Sequence, residues 1–106
     1  MQILADSHVL VWWATAPKKL TPRAQDLLAD TRNAIWFSVA SVWELSLKAG
    51  KGKLRLPATF FDDLERHGLL PLTIQKAHAI EAGRLPRRAH ADPFDRLLVA
   101  QARIEG

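Results

Sequence analysis

The chain has 106 residues, 48% of them hydrophobic and 25% charged, which predicts a single globular domain over residues 1–106 with a real apolar core. Fifteen basic against eleven acidic side chains give a net charge of +4, which favours an anionic partner, nucleic acid ahead of an acidic protein. The absence of cysteine excludes disulfides and thiolate metal sites. No apolar run reaches the ~20 residues of a membrane span, and no signal-peptide pattern opens the chain, so we expect a soluble protein of the cytoplasm.

Short apolar runs predict three strands, at residues 2–5, 34–37 and 69–72. The third suits a sheet edge, because Pro71 cannot donate a ladder hydrogen bond. The uniformly apolar run 9–13 is compatible with either a helix or a strand. Capping residues followed by helical periodicity predict five helix starts, at Thr21, Ser38, Thr59, Thr73 and Asp92. Strands separated by helices predict an α/β fold with a parallel sheet.

The helix after the second strand carries an acid whose role is open. Its apolar stripe is predicted to face the core and consists of Val39, Val42, Trp43, Ser46 and Leu47. Glu44 lies off this stripe. It fits a capping box with Ser41, an ion pair with Lys48 one turn later, or a functional site.

The start of the last helix, residues 90–96, places two carboxylates and a guanidinium in one turn. Asp92 suits the N-cap, Pro93 the first helical position, and Asp95 the third. On this stretch alone the structural interpretation is favoured, a capping box in which Asp95 accepts a hydrogen bond from the backbone of Asp92.

Position along the fold strengthens the functional interpretation of these acids. In parallel α/β sheets ligands bind beyond the carboxyl ends of the strands. Asp6 directly follows the first strand, Glu44 lies about two turns into the helix after the second, and Asp95 begins a later helix. We therefore expect the three carboxylates to converge on one cleft.

Three stretches together resemble the PIN-domain proteins of the VapC type, the ribonuclease toxins of type II toxin–antitoxin modules. They are residues 4–13 (LADSHVLVWW), 41–48 (SVWELSLK) and 92–102 (DPFDRLLVAQA). The resemblance implies a parallel sheet with strand order 3-2-1-4-5. The family continues past Gly106, so this chain is expected to have strand order 3-2-1 with the usual fourth and fifth strands missing.

The resemblance also implies the chemistry, which is RNA cleavage dependent on Mg²⁺ or Mn²⁺ and leaves a 5′-phosphate and a 3′-hydroxyl. Catalytic roles fall on Asp6, Glu44 and Asp95. In this scheme Asp6 and Asp95 ligate the metal, Glu44 holds metal-bound water, and Asp92 is an additional acid of the metal site. Ser7, which positions Asp6 or a phosphate, and Arg96 are accessory residues.

Partners follow from the same resemblance and from the basic segments. The implied partners are an RNA substrate and a cognate VapB-type antitoxin, and a homodimer is kept open because strand one has a free apolar edge. RNA-backbone contacts are predicted for the cations Lys48, Lys51, Lys53, Arg55, Arg87 and Arg88.

Two alternatives remain open from the residues. A catalytically incomplete PIN-like module would bind antitoxin or RNA without cleaving it. A phospho-accepting signalling domain would need an acid after the third strand, where this chain has Thr73, Ile74 and Gln75, so it ranks far behind.

Overall fold

The computed structural model describes residues 1–86 and 92–106. Within these residues the strands are β1 (Gln2–Ala5), β2 (Ala34–Ser38) and β3 (Leu70–Leu72). The helices are α1 (Ser7–Thr15), α2 (Pro22–Ala29), α3 (Val39–Gly50), α4 (Phe60–Arg66), α5 (Lys76–Arg84) and α6 (Pro93–Glu105), with a 3-10 turn at Pro17–Lys19.

The three strands form a parallel sheet in the order β1-β2-β3, with Ala5 opposite Phe37 and Phe37 opposite Pro71. This confirms the predicted α/β, PIN-like fold with strand order 3-2-1, and no further strand occurs in residues 1–86 and 92–106. As Pro71 predicted, β3 is an edge strand. The carboxyl ends of all three strands share one edge of the sheet, which is where α1 and α3 begin.

One face of the sheet carries the main core. Ile35 and Phe37 alternate with Trp36 along β2 and therefore point to the same side, the core side. The buried cluster on this side consists of Ala5, Leu10, Ile35, Phe37, Leu45, Phe60, Leu64 and Leu69. It packs α1, α3 and α4 against the sheet and fixes the ends of β1 and β2 relative to these helices.

A buried polar contact ties α6 to the sheet. Gln101 and Ser38 are fully buried, and the Ser38 hydroxyl donates a hydrogen bond to the Gln101 side-chain carbonyl. The Gln101 amide donates to the backbone carbonyl of Thr73, 3.3 Å away. Because both groups are out of water, these bonds determine where α6 sits on the sheet.

We expect Gln101→Ala to lower the free energy of unfolding by about 2–3 kcal/mol, since it removes packing and leaves the buried Ser38 hydroxyl without its acceptor. Chemical denaturation measures this change. Arg103→Ala, on the exposed side of the same helix, serves as the control and should change stability by less than about 0.5 kcal/mol. Equal losses in the two variants would contradict the role assigned to Gln101.

The face of α3 that packs inward differs from the predicted one. Ala40, Ser41, Glu44 and Leu45 are buried, whereas Trp43, at the centre of the predicted stripe, is 58% exposed. Val39 and Leu47 are also exposed, at 37% and 40%, and so is Ser46. The prediction of the stripe as the core face is therefore wrong. A small residue, Ala40, lets the start of the helix approach its neighbours, and the polar Ser41 and Glu44 find partners inside.

This correction makes a stability prediction. Trp43→Ala should cost less than about 1 kcal/mol, because the exposed indole loses mainly its edge-to-face contact with Phe94, whose ring centroid is 5.0 Å away. Leu45→Ala, on the buried face, should cost about 2–5 kcal/mol. Urea denaturation compares the two variants, and the opposite ranking would restore the predicted stripe.

Helix starts follow the predicted capping residues with one exception. Thr21 caps α2, and Ser38 accepts the N–H of Ala40 at the start of α3, so the competing Ser41 capping box is not formed. The exception is α5, where Gln75 rather than Thr73 is the N-cap and the ring of His78 accepts the Gln75 N–H.

The run 9–13 belongs to helix α1. After α2, the Arg32 guanidinium donates two hydrogen bonds to the exposed Asp30 carboxylate and lowers its pKa. None of the helices within residues 1–86 and 92–106 combines the length and the hydropathy that a membrane crossing requires.

Candidate active site

Asp6 is the residue at the carboxyl end of β1, and it also begins α1. One of its carboxylate oxygens accepts the backbone N–H of Val9 at 2.9 Å, which is the N-cap bond of that helix. A cleft of about 160 Å³ separates residues 4–6 from Leu98, Val99 and Ala102 on α6. Asp6 thus combines a capping role with a position at a cleft between the sheet and α6.

Glu44 is a buried acid, only 8% exposed, on the inner face of α3. Its Oε1 atom lies 2.6 Å from the hydroxyl of Ser7, and its Oε2 atom lies 3.2 Å from the Lys48 ammonium. The ion pair that the sequence offered as a structural alternative is therefore present, but on a buried carboxylate rather than on a solvated helix face. Burial makes both partners matter, since an uncompensated carboxylate is costly in a region of low dielectric.

Ser7 has two oxygen neighbours, Glu44 Oε1 at 2.6 Å and the Ser41 hydroxyl at 3.0 Å. A hydroxyl has one proton to donate, and the ionised carboxylate is the stronger acceptor. The Ser7 proton is therefore assigned to Glu44, which leaves Ser41 to donate to Ser7. The expectation that Ser7 positions Asp6 or a phosphate changes accordingly, because the partner that the structure gives to its hydroxyl is Glu44.

Asp92, not Asp95, supplies the cap of α6. One Asp92 carboxylate oxygen accepts the N–H of Phe94 at 2.7 Å and that of Asp95 at 3.4 Å. Asp95 is exposed, and the capping-box bond from its side chain to the backbone of Asp92 is not among those formed within the described ranges. The structural role predicted for this turn is thus carried by Asp92, and the Asp95 carboxylate is left facing solvent.

Arg96 is a tether for the start of α6. Its guanidinium donates to the backbone carbonyls of Ala82, Leu85 and Pro86 at 2.8, 2.6 and 3.2 Å. These bonds join the end of α5 to the first turn of α6, next to Asp95. As an accessory residue, Arg96 thus acts through the position of the helix that carries Asp95.

The backbone brings the three predicted acids to the same end of the sheet. Ser7, the neighbour of Asp6, contacts Glu44, and Leu98 and Val99, one turn after Asp95, border the cleft of Asp6. In the portions of the chain that the structure describes, however, no group of three or more Asp, Glu or His side chains is arranged to hold a metal ion. A shared metal site of Asp6, Glu44 and Asp95 with Asp92 therefore stays a prediction.

The predicted RNA-contacting cations are divided by the structure. Lys48 and Lys53 line a common cavity beside Ser7, whereas Lys51 and Arg55 are exposed outside it. Arg87 and Arg88 lie outside the described residues.

Two residues of this region escaped the sequence analysis. Ser41 was considered only as a cap, although its i, i+3 spacing to Glu44 also places both on one helix face, a usable signal. Lys19 lines the same cavity as Lys48 and Lys53. Nothing local marks Lys19, because its place depends on how the 3-10 turn approaches α3.

Comparison with known proteins supports this geometry. The PIN domain family matches residues 3–106. Ribonuclease VapC22 of Mycobacterium tuberculosis is 28% identical over 103 residues, which cover 94% of this chain and 78% of that protein. Ribonuclease VapC16 of the same organism is 35% identical over 71 residues, 63% of this chain and 47% of that protein. No solved structure matches the chain significantly.

Proposed function

The chain belongs to the PIN-domain family, and from that premise we propose that it is a metal-dependent endoribonuclease, the toxin of a type II toxin–antitoxin module. Two relatives bear the name ribonuclease VapC, and one of them aligns with nearly the whole chain. Single-stranded RNA is the proposed substrate, and the net charge of +4 suits it.

The observation that carries the proposal is the buried carboxylate of Glu44. An acid on the inner face of a helix costs stability unless a function or a partner compensates for it. Here Ser7 donates to Glu44 at 2.6 Å, and Ser7 directly follows Asp6 at the carboxyl end of β1. This edge is where parallel α/β sheets bind their ligands.

The donor set fits a hard divalent cation. Mg²⁺ prefers oxygen ligands and is usually held by one or two carboxylates together with substrate phosphates. Asp6 and Asp95 would hold it, with Asp92 and Glu44 as the further acids. When bound, such an ion lowers the pKa of a water and neutralises charge on the phosphate under attack. Mg²⁺ or Mn²⁺ is proposed on this donor chemistry.

The chain's own residues supply orientation and charge. Ser7 holds one oxygen of Glu44, so the carboxylate keeps a single direction and is favoured in its ionised form. Lys48 offsets the charge of that buried group from the other oxygen. Glu44 is thereby kept ready to accept a proton from a water that attacks the RNA phosphate.

Further assignments follow from the same proposal. A VapB-type antitoxin would be the protein partner, the cytoplasm the location, and pairing through the free edge of β1 the route to a homodimer. The chain spans 78% and 47% of the two relatives, so these properties of the whole proteins are proposed for it and not transferred.

A second candidate function has one observation in its favour. Within residues 1–86 and 92–106 no three acids form a ready metal site, which is what a PIN-like module that binds RNA or antitoxin without cleaving it would show. Both Asp6 and Glu44 already have partners in the chain, a cap and an ion pair.

The deciding experiment is a cleavage assay on purified chain with a labelled single-stranded RNA, in Mg²⁺, in Mn²⁺ and in EDTA. The enzyme predicts fragments with 5′-phosphates that appear only with metal. The binding module predicts an RNA or antitoxin complex and intact RNA in all three conditions.

A further inference from the structure

A basic cavity of about 340 Å³ lies beside the candidate active site, between α1, the 3-10 turn, α3 and the segment that follows α3. Its polar and aromatic walls are formed by Ser7, His8, Trp12, Lys19, Lys48 and Lys53. We call it the lysine cavity. Its volume is at the lower end of the range for small-molecule sites, which suits one nucleotide unit better than a folded element.

The charge of the lysine cavity points to an anion. Three lysines line it, and no carboxylate of the described residues does. Lys48 is offset by Glu44, 3.2 Å away. Lys19 and Lys53 form no ion pair with another residue of the described ranges, so two positive charges remain uncompensated at the wall.

The aromatic wall points to a base. The half-buried indole of Trp12 lines the cavity, and the ring of His8 lies 5.9 Å from it at an angle of 52°. Lysines next to an aromatic side chain are the combination with which proteins hold single-stranded nucleic acid without reading its sequence, since phosphates meet the cations and bases stack on the ring.

The position of the cavity connects it to the candidate active site. Ser7 and Lys48 line the cavity, and both contact the Glu44 carboxylate. A strand with one nucleotide in the cavity would therefore run past Glu44. Neither Lys51 nor Arg55, predicted as equal contacts, has this connection, whereas Lys19 has it without having been predicted.

We propose that the lysine cavity is a subsite for one nucleotide of a single-stranded RNA, with its phosphate on Lys19 and Lys53 and its base against Trp12. The inference rests on the proposed ribonuclease function and deepens it. It separates the lysines of this protein into those that guide the substrate and those that only contribute to net charge.

The test measures RNA binding in EDTA, so that cleavage does not enter. A short, unstructured, fluorescently labelled RNA is titrated with the full chain at several salt concentrations. Lys19→Gln and Lys53→Gln should each weaken binding and reduce the slope of log affinity against log salt by about 0.7, the share of one phosphate contact on a single strand. Lys18→Gln and Lys51→Gln remove the same charge from adjacent positions outside the cavity and should leave the slope unchanged.

The base contact has its own variants. Trp12→Leu should weaken RNA binding about five- to 100-fold, and Trp12→Phe, which keeps an aromatic ring, should lose less. Thermal melts of both variants show whether they fold. If Trp12→Leu does not fold, the comparison of Trp12→Phe with the wild type carries the test.

The outcomes distinguish this inference from the proposed function. Equal slopes for the cavity variants and their neighbours would overturn the subsite, even if metal-dependent cleavage is observed. Lysine-dependent binding without cleavage in Mn²⁺ would support the subsite and overturn the ribonuclease. A mononucleotide or inorganic phosphate that binds through Lys19 and Lys53 while the RNA does not would overturn the RNA subsite in favour of a site for a free anion.

Discussion

Asp6→Asn is expected to reduce RNA cleavage by at least about 100-fold while the fold remains intact. Asparagine caps a helix as well as aspartate does, so the bond to the Val9 N–H is retained and the free energy of unfolding should change by less than about 0.5 kcal/mol. What the substitution removes is the negative charge at the carboxyl end of β1. Loss of one preorganised charged group typically lowers a rate by about 10²–10³-fold. Metal-dependent cleavage and denaturant unfolding are measured on the same preparation.

Asp6→Ala is the matched variant, because it removes both the charge and the cap. It should lose activity to the same extent and also about 0.5–2 kcal/mol of stability. Cleavage by Asp6→Asn at the rate of the wild type would show that Asp6 serves α1 alone. Equal destabilisation by both variants would mean that the charge itself stabilises the N-terminus of the helix.

Asp95→Asn is expected to remove the response of the protein to metal without destabilising the metal-free fold. Asp95 is exposed, and the cap of α6 is made by Asp92, so the metal-free variant should melt within about 0.5 kcal/mol of the wild type. For the wild type, Mn²⁺ at a hundredfold excess over its dissociation constant should add about 2.7 kcal/mol of stability by mass action. Thermal melts of both proteins with and without Mn²⁺ measure this difference.

Asp92→Asn is the control for this experiment, since asparagine keeps the bonds to the N–H groups of Phe94 and Asp95. The prediction fails if Asp95→Asn melts lower than the wild type in both conditions and Mn²⁺ shifts neither protein. Asp95 would then be a structural residue of the first turn, as the capping-box interpretation held.

Much of the architecture could be predicted because it depends on neighbours in sequence. Apolar runs separated by helical periodicity predicted the strands and their order, and Pro71 predicted the edge position of β3, because a residue without an N–H cannot serve a central strand. Thr21 and Ser38 began their helices as predicted, since a side-chain cap acts within three residues. The resemblance placed Asp6 and Glu44, and the structure adds the contact of Glu44 with Ser7.

Only the tertiary structure decided which face of α3 is buried. A strip of apolar side chains predicts an inner face only when apolar burial outweighs every other contact. Here Ser41 and Glu44 meet Ser7 across 34 and 37 residues of sequence and turn the helix, so that Trp43 is exposed. Hydrogen bonds between such distant residues leave no local pattern.

The same reason explains the other differences. Lys19 lines the lysine cavity because the 3-10 turn lies against α3, and Gln101 anchors α6 because Ser38 lies 63 residues away in sequence and next to it in space. By itself, the sequence determined the elements, their order, the charge of the protein and the acids available for a metal. The tertiary structure decided which partner each polar group has, since burial makes that choice and burial depends on the whole chain.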